Sequence, residues 1–146
     1  MFRGEGRGRC RGAVAVQFIV LSTVLIGSAA LSIDVGMMYM TRAELQNAAD
    51  SAAMAAASEL GLHGGTQAMI EARRVGVEYA EMNQVHGEGM TISADDVVFG
   101  RGYLQNNGKY LFEETGLLPD AVRVTVRRTA GSPDGSIPLT FARIFG

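Results

Sequence analysis

The chain has 146 residues with 13 basic and 15 acidic side chains, a formal net charge of -2, which is the size of one domain and too balanced for the basic footprint of a nucleic-acid binder. One cysteine and two histidines exclude a disulfide scaffold and a multi-cysteine zinc site, and leave little material for any metal centre. Apolar residues make up 47% and charged residues only 19%, and the apolar excess sits in one place.

The chain opens on a basic segment, residues 1–12, in which Arg3, Arg7, Arg9 and Arg11 are offset only by Glu5. Residues 13–33, AVAVQFIVLSTVLIGSAALSI, then run without a formal charge. As a helix they span roughly 31 Å, which matches a hydrocarbon core of about 30 Å. A soluble core helix of that length keeps a charged face. Arginine on one flank predicts that this flank stays in the cytoplasm, and Asp34 closes the other end. The reading is a single transmembrane helix with the N-terminus inside. The segment RGEGRGRCRG looks a little like an RNA-binding RG tract, but it is short, ends against an apolar span and lacks interleaved aromatics, which favours positive-inside anchoring. It also fails the dinucleotide fingerprint, with Arg9 where the third glycine should stand. Cys10 reads as an incidental thiol. Ser28-Ala29-Ala30 is a small-x-small site, so release after Ala30 is an alternative, opposed by the helical pattern that runs straight through it.

From Asp34 to Leu60 there is no proline, and helix-forming Ala, Leu, Met, Glu, Gln and Arg dominate. Leu45, Ala49, Ala52, Ala53, Ala56 and Leu60 fall on one face and predict a packing surface, with Arg42, Glu44, Asn47, Asp50, Ser51 and Ser58 mostly off it. Small side chains let helix backbones approach closely. Met37, Met38 and Met40 sit where the helix leaves the membrane. Gly61 reads as the left-handed stop, with Leu62 folding back on the last turn. The result is one helix of about 48 residues from Ala13, roughly 70 Å long.

Gly64-Gly65 breaks the pattern, and Thr66 caps a second helix over about 67–85 that ends at His86-Gly87. Neither His63 nor His86 has a second histidine at ligand spacing, so both read as surface residues. Beyond Asp95 the period becomes two. Residues 97–104 and 109–114 flank Gln105-Asn106-Asn107-Gly108, a hairpin signal. After a turn at Pro119-Asp120 comes the clearest strand, with Val122, Val124 and Val126 on one face and Arg123, Thr125 and Arg127 on the other. A turn at Ser132-Pro133-Asp134-Gly135 precedes a last strand opened by Ile137, Leu139 and Phe141. The fold class is therefore α+β: a long N-terminal transmembrane-to-extramembrane helix, a second helix and a small antiparallel sheet. The predicted domains are the basic cytoplasmic segment 1–12, the transmembrane helix 13–33, its extramembrane continuation 34–61, and an α+β envelope-facing domain over 62–146.

CRGAVAVQFIVL, SIDVGMMYMTRAELQNAADSAAMAAA, AVRVTVRRT and PLTFARIFG together resemble the TadE/TadG-like proteins of Flp (tight adherence) pilus assembly. The IDVG…RAELQNAADSAAMAAA block is the specific part. The resemblance implies a pilin-like protein of the bacterial inner membrane, with a short cytoplasmic end and a periplasmic or extracellular domain, acting in adhesive pilus formation. It also implies prepilin-type processing as a question. Cleavage after Gly12 would make Ala13 the first residue and Gln17 the fifth, where pilins usually carry glutamate. A glutamine there hydrogen-bonds but cannot neutralise a neighbouring terminal ammonium inside lipid. The resemblance further implies either a chain truncated after FARIFG or a strand supplied by a partner.

No nucleophile signature, metal spacing or phosphate loop stands in the sequence, and no cofactor is implied. Asp95-Asp96 and Glu113-Glu114 read as solvated charges, since adjacent strand residues point to opposite faces. Three functions stay open. The first is a non-enzymatic membrane-anchored assembly factor or minor pilin-like component, with the inner membrane, other pilus-assembly proteins and a prepilin peptidase as partners. The second is a filament subunit polymerised through the N-terminal helix after cleavage at Gly12. The third is a secreted or periplasmic binding module released after Ala30. Homo-oligomers fit the first two, and no nucleic acid is expected.

Overall fold

A computed structural model describes residues 10–62 and 65–141, without the side chains of Cys10 and Arg11. The expectations for Arg3, Arg7, Arg9, the Arg11 side chain, the Cys10 thiol, His63 and the last five residues of FARIFG lie outside the described residues. The elements in order are α1 (Cys10–Leu62), α2 (Gly65–Met82), β1 (Gln84–Val85), β2 (Glu88–Gly89), a short 3-10 turn (Ala94–Asp96), β3 (Val97–Leu104), β4 (Tyr110–Glu114) and β5 (Ala121–Val124). The class is α+β. The chain divides into two compact units, one of Met1–Met38 with Pro138–Gly146 and one of Tyr39–Ile137.

In the Tyr39–Ile137 unit, α1 and α2 meet through small residues. Ala48, Ala52 and Ala56 are all 0% exposed, and α2 buries Ala68, Ala72, Val75, Gly76 and Ala80. A Cβ on Gly76 would lie 3.2 Å from the Ala56 Cβ and 3.6 Å from the Ala52 carbonyl oxygen. Only a residue without a side chain lets the backbones come this close. Val85, Met90, Ile92, Val97 and Phe99 complete the core, with Leu45, Leu60, Val122, Val124 and Val126 packed around it.

The three-stranded sheet has the order β4-β3-β5, antiparallel throughout. The hairpin turn at 105–108 is as expected: Gly108 takes φ 76° and its N–H donates to the Gln105 carbonyl. β3 carries Val97 and Phe99 on its buried face, whereas Gly100 and Gly102 leave a bare track on the other. The Phe112 ring lies over that track at Gly100, and Arg123 stacks on the ring at 4.6 Å.

Several boundaries differ from the sequence reading. Gly61 and Leu62 are still helical, Leu62 is exposed, and the left-handed glycine is Gly65, at φ 68°. Thr66 is consequently inside α2 and not its cap. α2 ends at Met82, where the Asn83 side chain turns back to the Tyr79 carbonyl and reaches the Ser51 hydroxyl. His86 and Gly87, at φ 59° and 79°, then form the turn between β1 and β2, because two left-handed residues match the twist of a tight hairpin. His86 is half-buried, and its backbone N–H donates to Glu44. Asp96 is no solvated charge: it is 7% exposed, accepts from the Ser93 N–H and pairs with Arg127. The expected strand over Ile137, Leu139 and Phe141 is absent, because Pro138 offers no N–H to a ladder and the N–H groups of Thr140 and Phe141 point to a carboxylate instead.

Candidate functional site

Within the unit Met1–Met38 with Pro138–Gly146, α1 leaves its apolar surface uncovered. Val14, Val16, Phe18, Ile19, Val20, Leu21, Val24, Leu25, Ile26, Leu31 and Ile33 are all exposed, and Ala30 is the only buried residue of the stretch 13–33. Three polar side chains of this stretch close on the helix itself. The Thr23 hydroxyl donates to the Ile19 carbonyl at 2.9 Å, Ser28 to Leu25 at 2.9 Å and Ser32 to Ser28 at 2.8 Å. Hydroxyls bonded back to the helix in this way need no water, which suits them to hydrocarbon. Among the described residues this is the one helix long and apolar enough to cross a membrane.

At the end of the apolar stretch stands Asp34, only 3% exposed. Its carboxylate accepts from the backbone N–H of Thr140 at 3.1 Å and of Phe141 at 3.0 Å, while the Thr140 hydroxyl reaches the Met37 sulfur at 3.5 Å. The sequence reading takes Asp34 as the membrane boundary; in the structure its carboxylate anchors the 138–141 segment. Replacing it by alanine leaves two N–H groups without their acceptor, at a cost of about 2 kcal/mol. Asp34→Ala is expected to speed amide exchange at Thr140 and Phe141 while leaving β3 and β4 protected, as hydrogen–deuterium exchange would report.

The structure divides the predicted packing face. Ala52 and Ala56 belong to the core against α2, with Leu45 and Leu60 packed beside them. Ala49 and Ala53 instead line an open groove of about 630 Å³ whose other wall is β5 and the residues after it. Ala48, fully buried, was missed, although the spacing Ala48, Ala52, Ala56 is a run of fours that marks one helix stripe. Gly12 and Ala13 lie in the first turns of α1, and Gln17 is exposed on it.

The apolar stretch and the alanine stripe thus follow one another on a single helix. Residues 12–59 match the family of TadE/G-like Flp pilus-assembly proteins. The TadE/G-like segment therefore holds the exposed apolar stretch, Asp34 and the alanine contact with α2, and stops short of the sheet. No curated protein and no solved structure matches the chain. Among the described residues no group of three histidine, cysteine, aspartate or glutamate side chains could hold a metal ion. Hydrogen bonding to Glu71, reinforced by Glu78, holds the exposed Arg74 guanidinium above its ordinary range, a surface pairing of small energetic weight.

Proposed function

We propose that this chain is a non-enzymatic, membrane-anchored component of Flp-type, type IV-like pilus assembly, a minor pilin-like protein or assembly factor. It sits in the inner membrane with its N-terminus cytoplasmic, and acts by lateral helix packing and by docking of its outer domain. The observation that carries this reading is the TadE/G-like match over residues 12–59, which falls on a helix with apolar side chains bare on every side. Such a surface needs lipid or neighbouring helices to cover it. The rival role is a filament subunit cut after Gly12. Intact mass separates the two. A membrane-bound form beginning at Met1 supports the assembly factor, and a form beginning at Ala13 in sheared surface material replaces it with the filament subunit.

Membrane insertion has its own test. A Leu25→Arg substitution places a cation near the middle of the apolar stretch, at a cost of about 3 kcal/mol. Carbonate extraction is expected to leave the wild-type chain in the membrane pellet and to release a substantial fraction of the variant. Equal retention of both would remove the anchoring role from residues 13–33.

A further inference from the structure

Asp34 is the one formal charge between Arg11 and Arg42. Every residue between these two arginines is helical, so the run is roughly 45 Å long. A hydrocarbon core is about 30 Å thick, and a bilayer with its headgroup layers is about 40–45 Å. Residues 13–33 fit the first thickness, and the whole run fits the second. A carboxylate at the border of hydrocarbon is costly unless it is hydrogen-bonded. Asp34 is buried and accepts from two backbone N–H groups, so its charge is not laid open on the helix surface.

Beyond Asp34 the helix stays apolar. Gly36 and Met38 are exposed, Val35 and Met37 are half-buried, and no charged side chain follows until Arg42. Tyr39, 71% exposed, is next on the helix, and tyrosine gathers at membrane–water interfaces. The Asp34 carboxylate also fixes the level of a second segment. It holds the N–H groups of Thr140 and Phe141, while the Thr140 hydroxyl reaches Met37, one turn further along α1. That segment, Pro138-Leu139-Thr140-Phe141, carries no charge. Ala30 lies one turn back from Asp34 on the same helix face and is the buried residue of the apolar stretch. The covered face of the helix therefore begins below the level of Asp34.

We propose that residues 34–38 of α1 and the 138–141 segment clamped to them lie in the headgroup layer of the bilayer. The chain then meets lipid through two segments, and the water boundary falls beyond Met38 and not at Asp34. This rests on the membrane-anchored reading of residues 13–33. It adds a role for Asp34 as the positioning residue that keeps Phe141 at the lipid surface.

The chain contains no tryptophan, so one introduced indole reports one position. The test uses full-length Leu25→Trp, Met38→Trp and Phe141→Trp variants in phosphatidylcholine nanodiscs, whose two faces are both open to solutes. One set of discs carries bromine deep in the acyl chains, and another carries a nitroxide on the headgroup. Leu25→Trp is expected to be quenched by the bromines and shielded from aqueous iodide. Met38→Trp and Phe141→Trp should be quenched more strongly by the nitroxide than by the bromines. Both should be several-fold less open to iodide than free N-acetyltryptophanamide. Adding Asp34→Ala should remove the nitroxide quenching at position 141 and leave that at position 38 unchanged. Met38 is the safer site for folding, because it is already exposed.

If the indole at 38 or 141 escapes the nitroxide, or answers better to the bromines, the proposal is overturned. Anchoring stands in that case as long as Leu25→Trp is quenched by the bromines. Loss of that quenching would overturn the anchored reading and this one with it. Shielding from iodide without quenching by either lipid would assign the surface to a protein neighbour instead. Quenching at 141 that ignores Asp34→Ala would overturn the positioning role.

Discussion

Replacing Gly100 with valine is expected to unfold the three-stranded sheet. A Cβ at this position meets the Glu113 carbonyl oxygen inside any allowed contact, and approaches the Phe112 ring to 2.5 Å. The ring could rotate away, at the cost of its stacking with Arg123. The carbonyl cannot, because it belongs to the neighbouring strand of the ladder. Overpacking in a core usually costs about 1–3 kcal/mol. A clash with backbone in the central strand belongs above that range, at about 4 kcal/mol. Urea unfolding of the chain in detergent, followed by tyrosine fluorescence, should show the lowered midpoint. A paired Phe112→Ala change relieves only the ring contact, so the rescue should be partial. Full rescue would mean that the ring, and not the strand spacing, demands glycine here.

Gly76→Leu should have an effect of similar size by another route. The two helices touch through Ala52, Ala56 and Gly76, and a bare Cβ would already come within 3.2 Å of Ala56. Three further carbons have nowhere to go except into the Val97 side chain, 3.5 Å away, or by forcing α2 off α1. The expected loss is about 3 kcal/mol, overpacking at the upper end of its range. Limited proteolysis should then cut within α2 faster than in the wild-type chain. Gly76→Ala should be far milder, since alanine raises helix propensity by about 1 kcal/mol relative to glycine and that gain offsets part of the crowding. If leucine and alanine behave alike, the helices are not in the close contact described here.

Much of this arrangement was legible in the residues. The uncharged stretch from Ala13 to Ile33, the alanines beyond it, and the Asn-Gly turn between two apolar runs each carry a strong local signal, and each became the element expected. The helix contact was only half legible. Its alanines were visible as a stripe, yet its partner Gly76 looks like a weak point in a helix until the facing helix is in place. The same holds for His86-Gly87, which ends a helix in a linear reading and turns a hairpin in space. Ile137, Leu139 and Phe141 have the alternation of a strand, but alternation only says which side chains share a face. It does not say where the N–H groups find acceptors, and here the acceptor is Asp34.

That acceptor lies 106 positions away from Thr140 along the chain. Closing so wide a loop costs more chain entropy than any contact within the hairpin, and it must wait until residues 138–141 have been synthesised. The Asp34 contact is thus expected to be among the last to form as the protein folds. Until then the carboxylate at the end of the apolar stretch must find other hydrogen-bond donors, and water is the nearest supply.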